Sequence, residues 1–304
     1  MKLFSTILAL TMALATPLAH AECDSVTFSD VGWTDITTTT SATKQVLKAL
    51  GYDVDVKILS VPVTFSSLES KDVDVFLGNW MPAQSGAIKP YMDKGTIVSL
   101  SVNLEGTKYT LAVPKYLWNK GLKSFSDVAK FKDELKGKIY GIEPGNEGNG
   151  YLISLTEPGK AFEGFKVVES SEQGMLAQVS RIYPKKGGVV FLGWEPHPMN
   201  SNFDLKYLPG GEDFFGGEGV VHTVTRKGFA ESCPNVARLL KNQKFTLAME
   251  NEIMGKILDD GEDPDKAVLN WIKAHPAAIE PWLAGVTTVS GGNGLAAVKA
   301  GLGL

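Results

Sequence analysis

The sequence predicts an α/β fold of two domains joined by two crossing β segments. Short apolar strand patterns alternate with helical patterns twice along the chain, between residues 26 and 94 and again between 124 and 192. Such alternation implies parallel strand pairing with right-handed crossovers. Two strongly β stretches, 107–113 and 220–225, flank the second alternating region, and a length of 304 residues suits two domains.

The first 21 residues have the features of a signal peptide. Lys2 provides the positive start, residues 3–15 the apolar stretch, and residues 19–21 (AHA) the small-x-small cleavage site. Cys23 follows Glu22 rather than a small residue, which argues against a lipoprotein. The mature chain is expected to start near Glu22 and to be soluble outside the cytoplasm. The rest of the sequence contains no run of about 18 apolar residues, so no transmembrane helix is predicted.

In the first domain, a strand at 26–28 leads into a loop that carries Trp33. A helix is predicted over 37–50, with Thr37 or Thr38 as its cap and Gly51 at its end. The next elements are expected at 54–58 (strand), 61–70 (helix), 73–77 (strand) and 83–94 (helix). Trp80 lies in a loop after the third strand. Because parallel strands end at one edge of a sheet, Trp33 and Trp80 are expected at the same edge.

The second domain is expected to repeat this rhythm. Its elements are predicted at 124–135 (helix), 138–142 (strand), 151–155 (helix), 165–168 (strand), 172–183 (helix) and 189–192 (strand), followed by a third tryptophan loop and a Gly-rich linker at 210–219. The last third is predicted to be helical at 234–241, 248–258 and 264–274, with a loosely ordered tail from Ser290. The domains are therefore expected to comprise 22–110 with 221–304, and 111–220.

Composition argues against several function classes. The net charge is −4 and the basic residues are scattered, so nucleic acid and anionic membranes are not expected partners. Neither Gly-x-Ser-x-Gly nor His-Glu-x-x-His occurs, and no cluster of metal-ligand residues stands out. The glycine cluster at 145–150 lacks the full pattern of a nucleotide-binding loop. We therefore expect no catalysis, no cofactor and no metal.

The positive signal is aromatic. Trp33, Trp80 and Trp194 each follow a predicted strand in a Gly-containing loop, and Tyr109 lies on the first crossing segment. A quaternary ammonium has no N–H to donate, so ring faces rather than hydrogen bonds must hold it. Four rings with methyl burial are sufficient for micromolar affinity, about −8 kcal/mol. The tryptophans on helix-like segments are expected to serve packing: Trp118, Trp271 and Trp282.

Two polar residues bear on which onium ion is bound. Asp35 lies two residues after Trp33, and a carboxylate accepts a hydrogen bond from a hydroxyl but repels another carboxylate. Choline carries the hydroxyl, whereas glycine betaine and carnitine carry the carboxylate. Asn146 is a candidate for the other side of the hydroxyl. The structural alternatives are a helix cap for Asp35 and a turn former for Asn146.

The two cysteines, Cys23 and Cys233, predict a disulfide, because an even count in an oxidising compartment usually pairs. The alternative is two independent buried thiols. A bridge would require the C-terminal third of the chain to fold back against the first strand.

Five segments carry a resemblance to a known family: 29–35 (SDVGWTD), 76–82 (FLGNWMP), 108–112 (KYTLA), 141–145 (GIEPG) and 193–197 (GWEPH). Across the whole mature chain the sequence resembles the periplasmic substrate-binding proteins of quaternary-amine ABC importers, most closely the choline-binding branch. The resemblance implies a two-lobed type II periplasmic binding protein that closes over its ligand and delivers it to a membrane permease, with a monomer expected.

The resemblance also assigns roles to residues. It implies that Trp33, Trp80, Tyr109 and Trp194 cage the trimethylammonium group and that Asp35 and Asn146 contact the choline hydroxyl. A disulfide similar to Cys23–Cys233 belongs to the same branch. The rival interpretations are a glycine betaine or carnitine receptor, a hydrolase of choline esters, and a structural or adhesive module without a small ligand.

Overall fold

A computed structural model describes residues 23–304, so the predicted signal peptide lies outside the described residues. The strands are β1 (Ser25–Asp30), β2 (Asp53–Ile58), β3 (Val75–Met81), β4 (Ile97–Pro114), β5 (Lys138–Tyr140), β6 (Lys166–Val168), β7 (Phe191–Glu195), β8 (Leu205–Tyr207) and β9 (Gly219–Arg226). The helices are α1 (Thr34–Ala49), α2 (Val61–Ser70), α3 (Ser85–Asp93), α4 (Lys115–Asn119), α5 (Phe125–Val128), α6 (Glu147–Ser154), α7 (Glu172–Ile182), α8 (Met199–Asn202), α9 (Glu212–Phe215), α10 (Phe229–Ser232), α11 (Pro234–Asn242), α12 (Leu247–Leu258), α13 (Pro264–Ala274) and α14 (Gly294–Leu302).

One long strand connects the two lobes. The sheet has the order β2-β1-β3-β9-β4-β7-β5-β6, with β8 also paired to β4. Residues 97–107 of β4 pair with β9, whereas residues 108–114 pair with β7 and β8. We call the part built on β2, β1, β3 and β9 the first lobe, and the part built on β7, β5, β6 and β8 the second lobe. The predicted α/β class is confirmed, although the residue boundaries of the lobes remain a prediction.

Helix α1 begins one turn earlier than predicted. Its first residue is Thr34 and its cap position is Trp33, which makes no side-chain capping bond, so the prediction of Thr37 or Thr38 as the cap was wrong. The backbone N–H of Thr34 instead donates to a carboxylate oxygen of Glu172 at 2.8 Å. A partner 138 residues away replaces the local cap, and local sequence patterns do not reveal such a partner.

The C-terminal tail is ordered, contrary to prediction. Helix α14 starts at a cap in which the Asn293 side chain accepts from the N–H of Ala296, and it buries Val298 and Leu302. It packs against α1 of the first lobe. The Gly/Ala-rich composition suggested disorder, but two apolar residues four positions apart suffice to dock a short helix.

A disulfide joins Cys23 to Cys233, as predicted. It connects the chain just before β1 to the residue preceding α11, over a sequence separation of 210 residues.

The helix predicted at 124–135 is shorter than expected. Only Phe125–Val128 is α-helical, and a 3-10 turn and further turns follow. Among residues 23–304, no helix combines the length and the apolar character that a bilayer crossing requires.

Candidate ligand-binding site

A cavity lies between the two lobes. Its lining contains all six residues singled out in the sequence, which are Trp33, Asp35, Trp80, Tyr109, Asn146 and Trp194. It adds four others: Ala83, Gln84, Ile142 and Glu147. The structure therefore brings together residues that are up to 161 positions apart in the sequence, from Trp33 to Trp194.

Two of the cage tryptophans lie in strands rather than in loops. Trp80 belongs to β3 and pairs with Val221 of β9, and Trp194 belongs to β7 and pairs with Tyr109 of β4. The glycines that suggested loops serve close packing instead: a Cβ at Gly78 would lie 2.8 Å from Ile36, and one at Gly193 would lie 2.8 Å from Ala112. Strands hold these rings more rigidly than loops would.

The polar edges of the cage rings are tied to the protein. The indole N–H of Trp80 donates to Oδ2 of Asp35 at 3.0 Å, and that of Trp33 donates to Oε2 of Glu143 at 2.9 Å. The Tyr109 hydroxyl donates to Oδ1 of Asn146 at 2.8 Å. These bonds fix ring orientation through the edges, which leaves the ring faces to the cavity.

Asp35 is 1% exposed and lies in the first turn of α1. Its Oδ1 has no hydrogen-bond partner among residues 23–304. Burial and the nearby charge of Glu172 raise its pKa to about 8, although the bond from Trp80 opposes the rise. The helix-cap alternative for Asp35 was wrong, since Trp33 occupies the cap position. A buried acceptor without a partner is costly, and a bound donor or cation would relieve that cost.

Asn146 both caps helix α6 and lines the cavity. Its Oδ1 caps α6 by accepting from the N–H of Asn149 at 3.1 Å, in addition to the Tyr109 hydroxyl. With Oδ1 doubly occupied, its amide NH₂ makes no hydrogen bond within the described part of the chain. The lining thus holds two free acceptors, Asp35 Oδ1 and Glu147 Oε1, and two free donors, the side-chain amides of Asn146 and Gln84.

Four lining residues were missed in the sequence: Ala83, Gln84, Ile142 and Glu147. Glu147 is the most consequential, because its Oε1 is buried without a partner among residues 23–304 and burial raises its pKa to about 7. Its position next to Asn146 was the available signal. The ten lining residues include two carboxyl groups and no lysine, arginine or histidine. A bound cation would favour the ionised form of both carboxyl groups, and no positive side chain in the lining would repel it.

The raised pKa of Asp35 has a consequence for stability. The unfolded chain ionises this group near its ordinary value of 3.8, whereas the folded protein keeps the proton up to about pH 8. The folded state thus binds more protons between these values, and stability falls as the pH rises through the window. Glu250, a buried neighbour whose own pKa is raised by burial and then by Asp35, contributes with the same sign.

We expect Asp35→Asn to remove one such group. In ligand-free protein the stability advantage of Asp35→Asn over wild type should grow by up to about 1.4 kcal/mol per pH unit from pH 5 to pH 8. Urea unfolding at each pH measures this, and Asp55→Asn on an exposed position of β2 is the matched control. A pH-independent difference between Asp35→Asn and wild type would contradict the assignment.

Residues 24–274 match the family model OpuAC, the substrate binding domain of the ABC-type glycine betaine transport system. The chain belongs to this family. A solved structure of an ABC-transporter choline binding protein in complex with choline is 58% identical and covers 92% of this chain and 98% of its own, with a TM-score of 0.90. The fold is therefore that of the two-lobed type II periplasmic binding proteins, as the sequence predicted.

Two curated relatives match over shorter regions. The uncharacterized protein ORF1 of Chromohalobacter salexigens is 49% identical over 129 residues, which is 42% of this chain and 83% of that protein. The glycine betaine/carnitine transport binding protein GbuC of Listeria monocytogenes is 33% identical over 129 residues, 42% of this chain and 43% of that protein. Members of this OpuAC family are substrate-binding proteins of quaternary-amine ABC importers, which work outside the cytoplasm.

Proposed function

We propose that this OpuAC protein captures choline and delivers it to the membrane permease of an ABC importer. The observation that carries the proposal is the combination, in a single cavity, of four aromatic rings with unpaired polar atoms that include Asp35 Oδ1 and the Asn146 amide. A trimethylammonium group needs ring faces and no hydrogen bonds. A hydroxyl donates once and accepts, which matches Asp35 Oδ1 and the Asn146 amide.

The charges of the cavity support choline over glycine betaine. A bound onium ion favours the ionised form of Asp35, because an opposite charge lowers a carboxyl pKa. A ligand carboxylate has the reverse effect and would meet Glu147 as well. Zwitterions therefore face two buried carboxyl groups and no cation in the lining. The relative bound to choline at 58% identity supports the same ligand.

A glycine betaine or carnitine receptor is the second candidate, since the family model and the Listeria relative carry these ligands in their descriptions. Aromatic rings alone would serve either ligand. Asp35 and Glu147 are the residues that favour choline.

We infer capture without chemistry, by a periplasmic monomer with lobes near 22–110 with 221–304 and 111–220. The ten lining residues include no serine, cysteine or histidine to act as a nucleophile or base toward a choline ester. His197 lies outside the lining, buried and bonded to Glu172. Closure would bury the ligand between the lobes, driven by the higher ligand affinity of the closed state.

Calorimetric titration tests the ligand assignment. We expect one-to-one binding of choline at micromolar affinity or better and much weaker binding of glycine betaine and carnitine. Tighter binding of glycine betaine than of choline would still agree with an aromatic cage for the onium group, but it would overturn the assignment of choline as the ligand. Release of acetate from acetylcholine by the protein would instead support the hydrolase.

A further inference from the structure

A carboxylate of the second lobe reaches into the first lobe. Glu172 is the first residue of α7 and is fully buried. Its Oε2 accepts from the backbone N–H of Thr34 at 2.8 Å and from the Thr34 hydroxyl at 3.0 Å. Thr34 is the first residue of α1, so an anionic group from one lobe sits at the N-terminus of a 16-residue helix of the other. Charge and helix dipole are complementary there.

The other oxygen of Glu172 is held by a histidine in a defined tautomer. Nε2 of His197 lies 2.7 Å from Glu172 Oε1, and Nδ1 of His197 lies 2.9 Å from the backbone N–H of Met199. Because an N–H donates to Nδ1, that nitrogen is the acceptor and Nε2 carries the hydrogen. His197 therefore orients Glu172 from within the second lobe, and both residues are almost completely buried.

A second contact across the lobes reaches the cage itself. Glu143 accepts from the Trp33 indole N–H at 2.9 Å through Oε2 and from the backbone N–H of Glu172 at 2.8 Å through Oε1. Trp33 and Thr34 belong to the first lobe, and both glutamates belong to the second. Neither Glu143 nor Glu172 lines the cavity. The Glu172 contact therefore joins the lobes without reaching the ligand position, whereas the Glu143 contact reaches it through the Trp33 ring.

We propose that Glu172, oriented by His197, is the latch of the closed state: it caps α1 across the lobe interface and sets how long a ligand stays enclosed. The proposal rests on the proposed capture function. Its bonds to Thr34 exist only when the lobes meet, so they stabilise the closed form and not the open one. A positioning residue of this kind should govern the rate of opening, and hence ligand release, rather than the choice of ligand.

Two variants on opposite lobes test the latch. In Glu172→Gln, one carboxylate oxygen is replaced by an NH₂ group, which cannot accept a hydrogen bond. Both sides of the residue present donors, the N–H and hydroxyl of Thr34 on one side and the Nε2–H of His197 on the other. Whichever side the NH₂ faces, the contact on that side is lost. We expect the choline dissociation rate to rise about 10- to 100-fold, since a hydrogen bond to a charged group is worth about that factor. The association rate should stay within about threefold. Thr34→Val removes only the hydroxyl bond and should accelerate dissociation about three- to tenfold.

The controls separate the latch from other effects. Glu157→Gln makes the same charge change at an exposed position of the second lobe and should leave both rates at wild-type values. The ratio of choline to glycine betaine affinity should be unchanged in Thr34→Val, because this variant keeps the Glu172 charge that acts on Asp35 and the latch touches no ligand. Stopped-flow tryptophan fluorescence gives the rates, and urea unfolding verifies that the variants fold.

Two results would overturn the latch. One is a dissociation rate within twofold of wild type in both variants. The other is an altered preference between choline and glycine betaine in Thr34→Val, which would place the latch contact beside the ligand. Failure of wild type to bind choline contradicts the proposed function instead. The same variants are then measured with glycine betaine, for which the latch predicts the same acceleration.

Discussion

Replacing Asp35 with asparagine is expected to weaken choline binding by about 100-fold and to abolish most of the preference over glycine betaine. The ionised carboxylate provides both the acceptor for the hydroxyl and the counter-charge for the cation in a buried site. A charge-assisted hydrogen bond of this kind is worth about 1.5–3 kcal/mol, and the lost ion pair adds to it. Glycine betaine no longer meets a carboxyl group at position 35, so its affinity should hold or rise.

Asparagine is the informative substitution because its side-chain oxygen can still accept from the Trp80 indole N–H. Alanine would leave that N–H buried and unpaired and would disturb the cage as well. Calorimetry with both ligands measures the effect, and Asp55→Asn is again the surface control. An unchanged ratio of the two affinities in Asp35→Asn would show that Asp35 does not select the ligand.

Truncating Trp80 to alanine should weaken the binding of both choline and glycine betaine by about 100- to 1,000-fold. The ring is 6% exposed and packs edge-to-face on Tyr109, with centroids 6.3 Å apart. A desolvated cation–π contact contributes about 2 kcal/mol, and the apolar contact of the methyl groups with the ring adds about as much. Both ligands carry the onium group, so the affinity for each should fall by the same factor.

The matched comparison uses phenylalanine at two tryptophans. Trp80→Phe keeps a ring face in the cage but loses the N–H to Asp35, so a smaller loss of about tenfold is expected. Trp271→Phe removes an N–H that donates to Glu252 on the exposed surface of α12 and α13, and it should leave affinity unchanged. A full-affinity Trp80→Ala protein would contradict the cage.

Local patterns in the sequence were sufficient for much of the fold. The helix at 264–274 has the predicted bounds, because Asp263 caps it and Pro264 lies in its first turn, and the short helix before it in the first lobe ends at Ser70 as predicted. The three cage tryptophans could be selected because each follows a predicted strand. In the structure, β3 and β7 are longer than predicted at this end and include Trp80 and Trp194. The pairing of Cys23 with Cys233 followed from the cysteine count.

Several features of the site depend on partners that are distant in the sequence. The start of α1 depends on Glu172, and the orientation of Trp33 depends on Glu143, each more than 100 residues away. Glu147 could be placed in the cavity only once the start of α6 was known, because a shift of one residue on a helix turns a side chain by about 100°. Nothing in a local pattern distinguishes such carboxylates from solvated ones.

The most direct measurement is a crystal structure of the protein with choline bound. We expect the trimethylammonium group between the rings of Trp33, Trp80, Tyr109 and Trp194. The hydroxyl is expected within hydrogen-bond distance of Asp35 Oδ1 and the Asn146 amide. A choline molecule bound outside this cavity, or one inside it with the hydroxyl turned away from Asp35, would contradict this arrangement.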